Sequence, residues 1–125
     1  MDTHALLWWL TDDPALPPRV RKLISSRSNI IFVSAASAWE IATKSRLGKL
    51  PGDADLALRF DAILAHESFE SLSIISAHAA RAGLLPGPHK DPFDRILIAQ
   101  SQAENLTIVS NDAVFDVYKL RRLWA

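Results

Sequence analysis

Five carboxylates could act together in this chain: Asp2, Glu40, Asp91, Asp94 and Asp112. The densest stretch is Lys90-Asp91-Pro92-Phe93-Asp94-Arg95-Ile96-Leu97-Ile98-Ala99-Gln100. It reads as a helix start, with Asp91 at the N-cap and Pro92 at the first helical position. Phe93, Ile96 and Leu97 recur at the spacing of an apolar helix face. Asp94 then lies one turn above Asp91, on a neighbouring face. Asp2, Glu40 and Asp112 sit at other junctions between elements. Carboxylates brought together repel unless a positive charge lies among them. A hard divalent cation, Mg²⁺ or Mn²⁺, is the simplest such charge, because it prefers oxygen ligands. It can activate water and stabilise charge on a phosphoryl group. Singly, each acid has an ordinary explanation. Asp91 and Asp112 can cap helices, Glu40 can pair with Lys44 at i+4, and Asp2 can be a terminal residue.

Composition removes several alternatives. There is no cysteine, so disulfides and thiolate sites are excluded, and the expectation is a reducing cytoplasm. His4, His66, His78 and His89 are scattered, without the paired spacing of a zinc site, and read as structural or surface residues. No Gly-rich phosphate loop and no Gly-x-Ser-x-Gly nucleophile motif occurs. The 14 basic and 14 acidic residues cancel, so nucleic acid can be held only by local patches. No apolar run reaches the roughly 20 residues of a membrane span, and no secretory leader is visible. The 125 residues are read as a single domain with a real core.

The elements that must position the acids follow from periodicity. A short apolar helix runs to Leu10, and Thr11 to Pro14 is a break. Leu16 to Arg27 is a helix with Val20, Leu23 and Ile24 on one face and a solvated row of Arg19, Arg21, Lys22 and Arg27 on the other. Ile30-Ile31-Phe32-Val33 reads as a strand buried on both faces. Ser34 caps a helix from Ala35 to Arg46, closed by a turn at Leu47 to Gly52. Asp53 caps a further helix carrying Leu56, Phe60, Ile63 and Leu64. A second strand spans Phe69 to Ile75, strongest at Leu72 to Ile75. Ser76 starts a short helix ended by Gly83. The acid-bearing helix runs from Pro92 to about Glu104, with Asn105 ending it. Leu106 to Val109 is a third strand, Ala113 to Tyr118 a helical turn, and Leu120 to Trp124 an edge strand. Short apolar strands alternating with helices predict a parallel sheet covered on both faces, with a site beyond its carboxyl edge.

Five blocks together resemble the PIN-domain toxins of the VapC type. They are Asp2-Thr3-His4-Ala5-Leu6-Leu7-Trp8, Ser37-Ala38-Trp39-Glu40-Ile41-Ala42-x-Lys44, Leu47-Gly48-Lys49-Leu50, Asp91 to Gln100, and Ile108-Val109-Ser110-Asn111-Asp112. They stand in the family's order and cover nearly the whole chain. The resemblance implies a three-layer α/β/α fold with a parallel sheet and an acidic pocket at its carboxyl edge. It implies a Mg²⁺- or Mn²⁺-dependent endoribonuclease, the toxin of a type II toxin–antitoxin pair, partnered by a VapB-type antitoxin and forming a homodimer.

Carried over residue by residue, the resemblance makes Asp2, Glu40, Asp94 and Asp112 the catalytic, metal-holding acids. Asp91 becomes a nearby cap or supporting carboxylate, and Ser110 the hydroxyl neighbour of Asp112. Lys44, Lys49, Arg95 and Arg46 are the candidates for phosphate contact. Trp8 and Trp9 are open to either core packing or antitoxin contact. The front departs from the family, whose members place an apolar strand before the first aspartate; here only Met1 precedes Asp2. The expectation is a natural chain that begins further upstream, and lower stability or activity in a chain starting at Met1. Two other readings stand beside the nuclease. A receiver-like signalling domain is weakened by Ser76, not Asp, after the strand ending at Ile75. A PIN-like module could bind RNA or a partner without cleaving.

Overall fold

A computed structural model describes residues 1–50 and 54–124. The expected cap Asp53, and Pro51 and Gly52 of the expected turn, lie outside the described residues. Helix α1 (Thr3–Leu10) is followed by α2 (Pro18–Ser25), strand β1 (Phe32–Ser34) and α3 (Ala35–Arg46). Then come α4 (Ala54–Leu58), α5 (Phe60–His66), β2 (Glu70–Leu72) and α6 (Ser76–Leu84). The long helix α7 (Pro92–Ala103) precedes β3 (Ile108–Val109), a 3₁₀ turn at Ala113–Tyr118, and β4 (Arg122–Leu123).

Local chemistry sets most of the boundaries. Ser34 Oγ accepts from Ala36 N at 3.0 Å and starts α3 directly out of β1. Asp91 Oδ1 accepts from the amides of Phe93 and Asp94 at 2.9 and 3.0 Å, which starts α7. Asn105 takes the left-handed conformation (φ 52°) just past α7, a role Asn fills well because of its short polar side chain. Gly48 does the same after α3, at φ 73°. Two expectations shift. The second strand lies at Glu70–Leu72, earlier than the apolar run implied, because the register pairs Phe32 with Glu70 and Ser34 with Leu72. Ile75 becomes the residue before α6 and is 53% exposed. The helix expected after Asp53 is two helices, broken at Arg59.

The strands form two parallel pairs, β1 with β2 and β3 with β4. Both faces of β3 are covered. Val109 belongs to a cluster with Leu6, Val20, Ile41 and Leu64, while Ile108 belongs to a second cluster with Leu97, Ile98 and Phe115. This is the helix–sheet–helix layering that the alternating pattern implied.

Between β1 and β3 stands the start of the chain. Met1 N donates to Phe32 O at 3.0 Å, and Asp2 N donates to Val109 O at 3.0 Å. Residues 1 and 2 thus touch both neighbouring strands, as a single strand between them would. Adjacent to Met1, a cavity of about 490 Å³ lies between the two pairs, lined by Ile30, Phe32, Leu72, Leu97, Ile108 and Val109 among others. Backbone N–H and C=O groups of one residue point the same way in a strand, so Phe32 and Val109 turn theirs into this gap. Burial pushes the Met1 ammonium down to about 6, with the Asp2 carboxylate acting the other way.

Candidate active site

The same placement of residues 1 and 2 brings the first acid to its position. Asp2 is 6% exposed and caps α1, its Oδ1 accepting from Ala5 N at 2.9 Å. Its Oδ2 accepts from the Ser110 hydroxyl. Burial raises the Asp2 carboxyl above its ordinary value, and the bonds from Ser110 and Ala5 oppose that rise. Ser110 is fully buried and also accepts from Asp112 N at 3.0 Å. One hydroxyl therefore ties the start of α1 to the segment leaving β3. Asp112 is exposed and caps the 3₁₀ turn through Val114 N at 3.0 Å.

Glu40 comes from the inner face of α3 and is 5% exposed. Thr3 Oγ1 donates to Glu40 Oε1 at 2.6 Å and lies 3.0 Å from Ser37 Oγ. The other Glu40 oxygen pairs with Lys44 Nζ. Asp94 lies one turn into α7, and its Oδ2 is 2.8 Å from His89 Nε2. Burial pushes the Asp94 carboxyl up to about 6, opposed by the His89 bond and reinforced by the charges of Asp91 and Glu40. Like charges thus already act on one another at this place.

All five acids line one cavity of about 570 Å³, together with Thr3, His4, Trp8, Lys44 and Asn111. Among the described residues, Lys44 is the only Lys or Arg that lines it. As placed, no three Asp, Glu or His side chains among the described residues converge on a single point. Each is tied to a neighbour: Asp2 to Ser110, Glu40 to Lys44, Asp94 to His89. The donor set is nonetheless all oxygen, several carboxylates against one ammonium, which matches a hard divalent cation in chemistry. Asp2, Asp94 and Asp112 would hold it, with Glu40 as a further ligand or as the group that orients a water beside it; Asp91, whose Oδ1 accepts from two amides at the start of α7, would support them.

The candidates for phosphate contact separate sharply. Lys44 lines the cavity, but Lys49 and Arg46 are exposed and are not among its lining residues. Arg95 is a correction. Its guanidinium donates to the carbonyls of Ala82 (3.0 Å), His89 (2.8 Å) and Leu85 (2.7 Å), with Gly83 O at 3.5 Å. It ties the α6–α7 connection together and is not free to meet a phosphate. Arg95→Lys should therefore cost about 2–4 kcal/mol of stability in urea unfolding, since an ammonium cannot span those acceptors.

His89 and Thr3 hold site acids, roles that their sequence context does not announce. His89 looked like one of four scattered histidines, and only its place in the loop before Asp91 hinted at a role. Thr3 carried no signal beyond standing next to Asp2. His78, read as structural or surface, is buried and joins α6 to the C-cap of α7, with Nε2 3.0 Å from Glu104 Oε1.

No curated protein and no solved structure gave a match to this chain. The family model for the PIN domain matches residues 1–120. With its acids gathered at one cavity beside two parallel strand pairs, the chain belongs to the PIN domain family, whose members are in general metal-dependent nucleases.

Proposed function

We propose that this chain is a Mg²⁺- or Mn²⁺-dependent endoribonuclease, acting as the toxin of a type II toxin–antitoxin pair. The observation that supports it is the meeting of five carboxylates from four separate segments at one cavity with a single ammonium. When bound there, a divalent cation would polarise the phosphodiester and lower the pKa of a water beside it. The protein's own groups would do the rest. Ser110 and Ala5 N fix the orientation of Asp2. Thr3 holds one Glu40 oxygen, leaving the other, now on Lys44, to orient the attacking water. Lys44 released from Glu40 is placed to meet a phosphate oxygen. The partner is a VapB-type antitoxin that covers the acidic cavity, the working unit is a homodimer, and the setting is cytoplasmic. No described helix is long and apolar enough to cross a membrane.

A binding module without cleavage has one observation in its favour, the lack of convergence among the acids as placed. RNA cleavage by the purified chain decides between them. Cleavage is expected with Mg²⁺ or Mn²⁺ and none in EDTA. RNA binding without cleavage under every metal condition would favour the module.

A further inference from the structure

Resting on the nuclease reading, the surroundings of the acidic cavity raise the question of what holds an RNA there. The cavity repels phosphates. Of the cations nearby, Arg95 is committed to backbone carbonyls and Arg122 to Asp116 and to Ser110 O, which leaves Lys44, once released from Glu40, and the exposed Lys90 beside Asp91. Two lysines supply only part of the grip, and the chain's net charge is zero.

Aromatic surface is present at the same cavity. His4 and Trp8 line it, on one face of α1 at i and i+4. Their ring centroids are 5.9 Å apart at 42°. Trp8 is backed in turn by Trp124, at 5.9 Å and 51°. His4 is exposed and Trp8 half-buried, so the row is anchored at its rear and open at its front. Rigid aromatic faces beside a groove bind unpaired bases by stacking, whatever the base.

We infer that the His4–Trp8 face is a stacking platform for one unpaired nucleobase of the RNA, next to the bond that is cut. The base it holds has to be unpaired, since a base paired inside an A-form helix cannot present its face. His4 and Trp8 act in binding and positioning.

The test pairs protein variants with abasic substrates. Binding of short oligoribonucleotides, each lacking one base, is measured with Ca²⁺ in place of Mg²⁺. KM for cleavage of the same set is measured with Mg²⁺. In the wild type, one abasic position should weaken binding roughly 5- to 100-fold, the range of a single base–aromatic stack. In Trp8→Leu that penalty should vanish, because the stack is already lost, and Trp8→Phe should restore most of it. His4→Ala, at an exposed residue, should reduce the penalty without touching the fold. Equal penalties in wild type, Trp8→Leu and His4→Ala would overturn the platform while leaving the nuclease intact. A wild type that neither binds nor cleaves any of the RNAs would overturn the nuclease reading and the platform with it.

Discussion

Asp94→Asn should abolish RNA cleavage and at the same time make the metal-free protein more stable. The loss of activity is expected at roughly 10²–10³-fold or more, the scale seen when one preorganised charge is removed from a reacting centre. The gain in stability follows from the carboxyl's environment. Burial and the charges of Asp91 and Glu40 push Asp94 up to about 6, against 3.8 for a free carboxyl. A carboxyl raised in the folded state binds its proton more tightly there than in the unfolded chain. Its contribution to stability is fully present below about pH 4 and is lost as pH rises through about 6. In EDTA at pH 7 the variant should therefore be more stable by about 1–3 kcal/mol. The wild-type-minus-variant difference should flatten below about pH 4. Urea unfolding across this range checks the sign. A variant less stable than wild type at pH 7 would show that Asp94 is held by more than the His89 bond.

An added strand should have the largest effect on stability. Residues 1 and 2 bond to β1 on one side and β3 on the other, beside an apolar cavity of about 490 Å³. About four or five apolar, β-branched residues placed ahead of Met1, a typical strand length, should enter that gap. They would meet the inward-turned backbone of Phe32 and Val109. Each buried residue gains roughly 1.5–3 kcal/mol from its side chain, partly offset by about 1–2 kcal/mol of backbone ordering. The net expectation is on the order of 4 kcal/mol, read as a clear rise in Tm. An extension of Gly, Ser and Lys should give no such rise. The extension also converts the buried Met1 ammonium into an amide. Burial holds that amine down to about 6, so its present contribution stands above about pH 8 and is lost as pH falls through about 6. The benefit of the extension should accordingly be larger at acid pH than at alkaline pH. Equal Tm for the apolar and polar extensions would refute the strand.

Much of this was legible because capping is local. Ser34, Asp91 and Asp112 accept from amides two residues ahead, and no distant residue has to be known to expect that. The strand at Glu70–Leu72 was harder. The apolar run Leu72 to Ile75 reports hydrophobicity, whereas pairing is decided by the partner strand's register. The junction positions of the acids suggest a set, but each alone has a sufficient local explanation, and only the resemblance gives them roles. His89 on Asp94 stayed hidden because a loop side chain's direction depends on the loop's path. The fate of Arg95 was hidden for a related reason. Its acceptors are backbone carbonyls, which every residue has and which leave no mark in a sequence.

The Arg95 fan has a consequence for how the chain can change over time. Surface connections ordinarily accept insertions and deletions with little penalty. The stretch between α6 and α7 is different, because one guanidinium reaches carbonyls at Ala82, Leu85 and His89 together. Lengthening or shortening it by one residue would pull at least one acceptor out of reach and leave a donor unpaired. Its length is thus constrained like that of a core element, although Pro86, Gly87, Pro88 and Lys90 are exposed.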